Sequence, residues 1–171
     1  TDSALHPENS TEQFSEDLYR LPVFYQYTPI LNAPPASPRL IEKNGMITFG
    51  SFNNPGKINN EVIALWTNIL NETADSRLML KYRGVFDNPK LNQAWLERFS
   101  ANGIAPERII LRGGEGDSRN HLASYNEVDI ALDPFPFNGA TTTFEALWMG
   151  VPVISLMGDH FISRAAGSIL H

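Results

Sequence analysis

The residues best suited to chemistry in this chain are Thr141, Thr142, Thr143 and Glu145, which follow the run Asp133-Pro134-Phe135-Pro136-Phe137-Asn138-Gly139-Ala140. The run reads as the end of a buried strand, a tight Pro/Gly turn, and a helix entered through three hydroxyl residues. A helix N-terminus offers unpaired N–H groups and about half a positive charge, which suits a phosphate. The threonine hydroxyls add donors for phosphate oxygens. Glu145, one turn further in, could accept hydrogen bonds from ribose hydroxyls. The order fits a nucleoside diphosphate, phosphates first and ribose next. Thr142-x-x-Glu145 is also the pattern of a capping box, in which both side chains serve only the helix's own N–H groups. Local pattern leaves both readings open.

Two other loops carry unusual chemistry. In Ser51-Phe52-Asn53-Asn54-Pro55-Gly56-Lys57-Ile58, with Asn59 as a helix cap, Lys57 stands just ahead of a helix N-terminus. Its ammonium could join the helix dipole in holding a diphosphate, or it could be a solvated surface lysine. Gly113-Gly114-Glu115-Gly116-Asp117-Ser118 is a flexible turn, with Asp117 or Ser118 capping a short helix that holds His121. Imidazole can stack on a base or bond a phosphate, although a lone histidine on a short helix also serves structure. The four histidines are scattered without metal-ligand spacing, and no Walker loop, Gly-x-Gly-x-x-Gly helix entry or Gly-x-Ser-x-Gly nucleophile turn occurs. A site built from these residues binds and orients rather than supplying a nucleophile.

The elements that must position these loops are legible as alternating patterns. Met46–Phe52, Arg77–Tyr82, Arg108–Leu111, Val128–Leu132 and Val153–Leu156 are short apolar runs that read as strands. Val62, Ile63, Leu65, Trp66, Ile69 and Leu70 make one helical stripe, and Leu91, Trp95, Leu96 and Phe99 make another. Gly150 before Pro152 reads as a helix stop feeding a strand. Near-continuous apolar strands alternating with amphipathic helices predict a parallel sheet covered on both faces. Ligands of such sheets bind beyond the carboxyl ends of the strands, which is where the three loops fall. Residues 1–45 differ: they carry six prolines and little periodicity. A short helix is expected around Phe14–Arg20, ended by Leu21-Pro22, and Ala33-Pro34-Pro35-Ala36-Ser37-Pro38 reads as a polyproline-like linker.

Composition bounds the function classes. The 171 residues are 42% hydrophobic and 19% charged, enough for one sizeable core. There is no cysteine, which removes disulfides and thiolate metal sites and fits a reducing compartment. A net charge of −6 argues against a nucleic-acid partner. No apolar run approaches the ~20 residues of a membrane span. The chain starts at Thr1 without a methionine and stops at His171 inside a helix-like segment, so both ends read as parts of something longer.

These motifs, in this order, resemble glycosyltransferase family 41. The Ser51-Phe52-Asn53-Asn54-Pro55-Gly56-Lys57-Ile58 motif, His121, and Asp129-x-x-Leu132-Asp133-Pro134 leading into Asn138-Gly139-Ala140-Thr141-Thr142-x-x-Glu145-x-Leu147-Trp148 are similar to the C-terminal catalytic half of O-linked N-acetylglucosamine transferases, bacterial members above all. Tyr19-Arg20-Leu21-Pro22 and the Pro-rich linker resemble the passage between the two catalytic halves. The resemblance implies an α/β fold: one Rossmann-like, donor-binding lobe of a two-lobe GT-B enzyme, with helices on both faces of a parallel sheet and truncation at both ends. Residues 1–45 would be an inter-lobe segment, and 46–171 a nucleotide-sugar-binding domain incomplete at its C-terminus.

The implied activity is inverting, metal-independent and cofactor-free transfer of a sugar, N-acetylglucosamine in the first instance, from a UDP donor to protein Ser or Thr hydroxyls in the cytoplasm. By the same resemblance Lys57 contacts the donor diphosphate as the catalytic cation and Asn54 lies beside it. Thr141 and Thr142 bind phosphate, Glu145 the ribose and His121 the uracil, with Gly116, Ser118, Asn138 and Gly139 completing the donor-binding set. Ala140 and Asn54 replace a histidine and a glutamine of the animal enzymes, which leaves the sugar open; a related plant branch takes fucose from a guanine nucleotide. Acceptor recognition, the general base, the other lobe and tetratricopeptide repeats would lie outside these residues. Two rival readings share the lobe: a sugar-nucleotide epimerase, and a non-catalytic sugar-nucleotide-binding or protein-interaction module.

Overall fold

The computed structural model describes residues 1–37, 45–114 and 116–171. Pro38 of the Pro-rich linker and Glu115 of the glycine turn lie outside the described residues. Five strands form one parallel sheet: β1 (Ile47–Ser51), β2 (Ser76–Lys81), β3 (Ile109–Arg112), β4 (Ile130–Leu132) and β5 (Val153–Ile154), in the order β3-β2-β1-β4-β5. Each strand expected from an apolar run is present. The chain steps outward from β1 to β3, then crosses back to place β4 on the other side of β1. The order therefore reverses between β1 and β4, and such a switch opens a crevice at the strands' carboxyl ends.

Successive side chains of a strand point to opposite faces. Leu78 and Leu80 accordingly join Phe49, Trp66, Leu70, Phe99 and Ile109 in one buried cluster. Met79, between them, joins Phe52, Leu122, Tyr125, Val128 and Met149 in another on the opposite face. The first cluster is closed by α1 (Asn60–Glu72) and α2 (Pro89–Ser100), the two helices whose stripes are visible in the sequence. The second is closed by α3 (Ser118–Ala123), the 3-10 turn Ser124–Glu127 and α4 (Thr141–Trp148). Asn59 caps α1 by accepting from the Val62 N–H, and Asp117 caps α3 by accepting from Asn120. Gly150 stops α4 with a φ of 75°, a conformation glycine adopts without steric cost. No helix among the described residues is long and apolar enough to cross a membrane.

The expected helix at Phe14–Arg20 is absent. Backbone and side-chain groups there are engaged with residues 1–7 instead of along the segment. The Arg20 guanidinium donates to the carbonyl oxygens of His6 and Pro7, the N-terminal ammonium donates to Tyr19 O, and Leu21 N–H donates to Thr1 O. The Tyr19 carbonyl and the Leu21 N–H, which would close the last turn of such a helix, are thereby taken up by Thr1. The N-terminal segment folds onto the C-terminal end of the chain, around α5 (Ala165–Leu170). The Asp2 carboxylate accepts from Ser168 Oγ, Glu12 accepts from Phe161 N–H, and Arg164 donates to Ala4 O.

Candidate functional site

The three loops singled out by their chemistry end up at the carboxyl end of the sheet. There the ends of β1, β2 and β3 and the amino end of α4 surround an open cavity of about 810 Å³. That is within the ~300–1,000 Å³ usual for small-molecule sites. Gly116, Ser118, His121, Thr141, Thr142 and Glu145 line it. So do Phe52, Lys81, Arg83 and, from the N-terminal segment, Tyr27, Thr28 and Ile30. Tyr27 is held in place by stacking on Phe144, ring centroids 5.3 Å apart and 9° from parallel.

At the mouth of α4 the capping box is not formed. The helix has Ala140 at its cap position without a side-chain cap bond. Thr142 Oγ1 instead donates to Asn53 Oδ1 at 3.0 Å. Glu145 turns toward His121, its Oε2 3.1 Å from Nε2, and accepts from Tyr125 OH at 3.4 Å. Neither side chain serves the helix's first N–H groups, so those donors and the dipole's positive end face the cavity side.

Asn54, Lys57, Asn138 and Gly139 do not line this cavity; they form an adjoining cluster under the same turn. Asn54 is exposed and its Oδ1 accepts from Gly56 N–H, shaping the 3-10 turn Pro55–Lys57. Lys57 Nζ donates to Asn138 O at 2.8 Å and sits 4.1 Å from the Phe137 ring centroid. Burial lowers its pKa, and the charge of Asp133 opposes that shift. Asn138 is fully buried, and its amide donates to Pro134 O and Leu156 O. Its Oδ1 has no partner among the described residues.

Asp133 ties the two groups together. Its carboxylate accepts from Gly139 N–H at 2.6 Å, from Ser155 Oγ at 2.7 Å and from Asn53 Nδ2 at 3.5 Å. Burial nevertheless pushes its pKa up to about 6, against those hydrogen bonds and the Lys57 charge. Gly139 passes so close that a Cβ there would press on Thr142 Oγ1 and lie 2.9 Å from Asp133 Oδ1 and 3.0 Å from Asn53 Oδ1. The glycine is required by this close approach.

Lys81 does not stand out in the sequence, and Asn53 and Asp133 stand in motifs there without a role of their own. A signal existed for two of them: Lys81 closes the run Leu78-Met79-Leu80, and Asp133 closes Ile130-Ala131-Leu132, each a charge at the end of an otherwise apolar strand. Tyr27 lies in a segment without periodicity and carried no such signal. Among the described residues no group of three or more acidic, histidine or cysteine side chains could hold a metal ion.

Known proteins share this arrangement of sequence and fold. The family model described as Glycosyl transferase family 41 matches residues 39–171. A rice (Oryza sativa subsp. japonica) protein named "Probable UDP-N-acetylglucosamine--peptide N-acetylglucosaminyltransferase SPINDLY" is 37% identical over 171 residues, covering 99% of this chain and 18% of the relative. The Arabidopsis thaliana protein of the same description with the name SEC is 28% identical over 180 residues, with the same two coverages. A solved structure of a mutant Thermobaculum terrenum O-GlcNAc transferase superposes with a TM-score of 0.89 at 37% identity, over 99% of this chain and 32% of that one. This chain thus spans about a fifth of the length of the curated relatives it matches.

Proposed function

The chain belongs to glycosyl transferase family 41, and from that premise we propose that it is the donor-binding lobe of an inverting, metal-independent enzyme that moves N-acetylglucosamine from UDP to protein Ser or Thr hydroxyls. The observation that carries the proposal is the 810 Å³ cavity in which His121, Thr141, Thr142, Glu145 and the amino end of α4 converge. The diphosphate is assigned to the helix end and the Thr141 and Thr142 hydroxyls, the ribose to Glu145, and the base to His121. The nature of the two relatives' named substrates supports UDP-N-acetylglucosamine as donor and a peptide as acceptor.

In glycosyl transfer the sugar–oxygen bond breaks and negative charge builds on the departing diphosphate. Fixed donors aimed at that charge stabilise the transition state more than the ground state. Lys57 supplies the mobile cation: its ammonium exchanges the Asn138 carbonyl for a diphosphate oxygen when donor is bound. The α4 dipole and threonine hydroxyls supply the rest, so the positive charge is provided by the chain itself. No cofactor takes part. The acceptor groove, the other lobe and any tetratricopeptide repeats are assigned to residues beyond this chain, in a cytoplasmic protein.

The test is transfer by the full-length enzyme with radiolabelled UDP-N-acetylglucosamine and a GDP-sugar control. Lys57→Ala should lower kcat about 10²–10³-fold, the usual effect of removing one such donor, with the fold intact. Activity within a few-fold of wild type would remove Lys57 from this role, and turnover of the GDP-sugar alone would change the donor.

A further inference from the structure

Lys81 ends β2 with only 3% of its surface exposed, and a buried lysine needs a reason. Its Nζ lies 3.2 Å from His121 Nδ1 and 5.5 Å from the centroid of the Phe52 ring. An ammonium has hydrogens to give and no lone pair to accept with, so Nδ1 must be the acceptor. The remaining hydrogen of a neutral imidazole then sits on Nε2, where the Glu145 carboxylate waits 3.1 Å away. The ring is also walled by Phe52 and Tyr125, with centroids 5.9 Å from it in each case. Charged and titratable groups thus face His121 from β2 (Lys81), from α4 (Glu145) and from the 3-10 turn (Tyr125).

We propose that Lys81 is a positioning residue that fixes the tautomer and ring plane of His121, so that His121 and Glu145 present one preset surface to the base and ribose of the donor. The proposal rests on the nucleotide reading of the cavity and deepens it. Lys81 donates to Nδ1 and Nε2–H donates to Glu145 Oε2, while the single hydrogen of Tyr125 OH is shared between Thr142 O at 3.2 Å and the same Glu145 oxygen at 3.4 Å. Base end and ribose end are joined in one hydrogen-bonded chain that starts at the buried end of β2. Such a chain removes rotamer freedom that ligand binding would otherwise have to remove. Lys81 therefore acts through His121 on binding, whereas Lys57 acts on the breaking bond.

The experiment is ¹⁵N NMR of the histidine rings in the unliganded wild-type protein, Lys81→Met and Lys81→Arg, with His121→Asn to assign the signal. UDP titrations and donor KM and kcat are measured on the same variants. The wild type should show His121 with a bare Nδ1 and a protonated Nε2. Lys81→Met should release the ring into a mixture of tautomers and weaken UDP binding about ten-fold, as expected for loss of one charge-assisted hydrogen bond. The kcat at saturating donor should stay within a few-fold, and Lys81→Arg should restore both signal and affinity. A wild-type His121 carrying its hydrogen on Nδ1 overturns the proposal without any mutant, which covers a Lys81→Met protein that fails to fold. Unchanged His121 signals in Lys81→Met overturn it as well. A ring fixed by Lys81 in a wild type that binds no UDP would support the positioning role and overturn the nucleotide reading instead.

Discussion

Glu145 illustrates how one side chain can be read in two ways until its partners are known. Its spacing from Thr142 suits a helix cap, yet its carboxylate goes to His121 and to the buried Tyr125. Thr142 likewise goes to Asn53. With no cap bond to lose, Glu145→Gln should barely move the thermal midpoint. Affinity for UDP should fall by roughly ten-fold, because a charged acceptor for ribose hydroxyls becomes a neutral one. Parallel thermal melts and UDP titrations check this, and equal losses in both would return Glu145 to a structural role. Residue types at motif spacing were legible here: His121, Thr141, Thr142 and Glu145 do converge. What sequence could not give was the partner each would find. Lys57 and Asn54 face a neighbouring turn cluster, since the Asn138 carbonyl and the Asn54–Gly56 turn take up their polar groups. Lys81 gains its meaning only when β2 and α3 are folded against each other.

At the scale of elements, the site depends on the turn between β4 and α4 keeping its close approach to the ends of β1 and β4. Asp133 holds it from below through Gly139 N–H, and Asn53 holds it through Thr142. A Cβ at Gly139 meets three polar side-chain oxygens at once. Gly139→Ala should therefore cost about 1–3 kcal/mol in chemical denaturation, the usual penalty of overpacking. It should also reduce UDP affinity, since the first turn of α4 must shift. A variant with wild-type stability and affinity would show that this turn has slack the geometry denies. Strands and the two long helices were readable because burial imposes a period on them: Leu78, Met79 and Leu80 alternate faces, and Trp66 and Leu70 share one. The Phe14–Arg20 segment failed as a helix because its partners lie at residues 1–7, a distant pairing that no local pattern encodes.

At the scale of the molecule, the N-terminal segment is anchored at both ends of its path. Asp2, Ala4 and Glu12 bond to the region of α5, and Tyr27, Thr28 and Ile30 complete the cavity wall. The wall of the site is thus built from the N-terminal segment as well as from the loops and helices that follow the strands. The net charge of −6 does not by itself oppose an anionic ligand, because the field at the cavity is local: Lys81, Arg83 and the α4 terminus stand there beside the carboxylates of Asp117 and Glu145. On the proposed function, this cavity receives a uridine diphosphate with the 171-residue chain alone. Titration of the wild-type chain with UDP, GDP and ADP, read by calorimetry and by thermal midpoint, tests it most directly. One saturable site is expected, with UDP tighter than GDP or ADP and a midpoint raised by roughly 5–10 °C at a UDP concentration of about 100 times Kd. Tighter binding of GDP would move the donor to a guanine nucleotide, and no heat and no shift with any of the three would contradict the account.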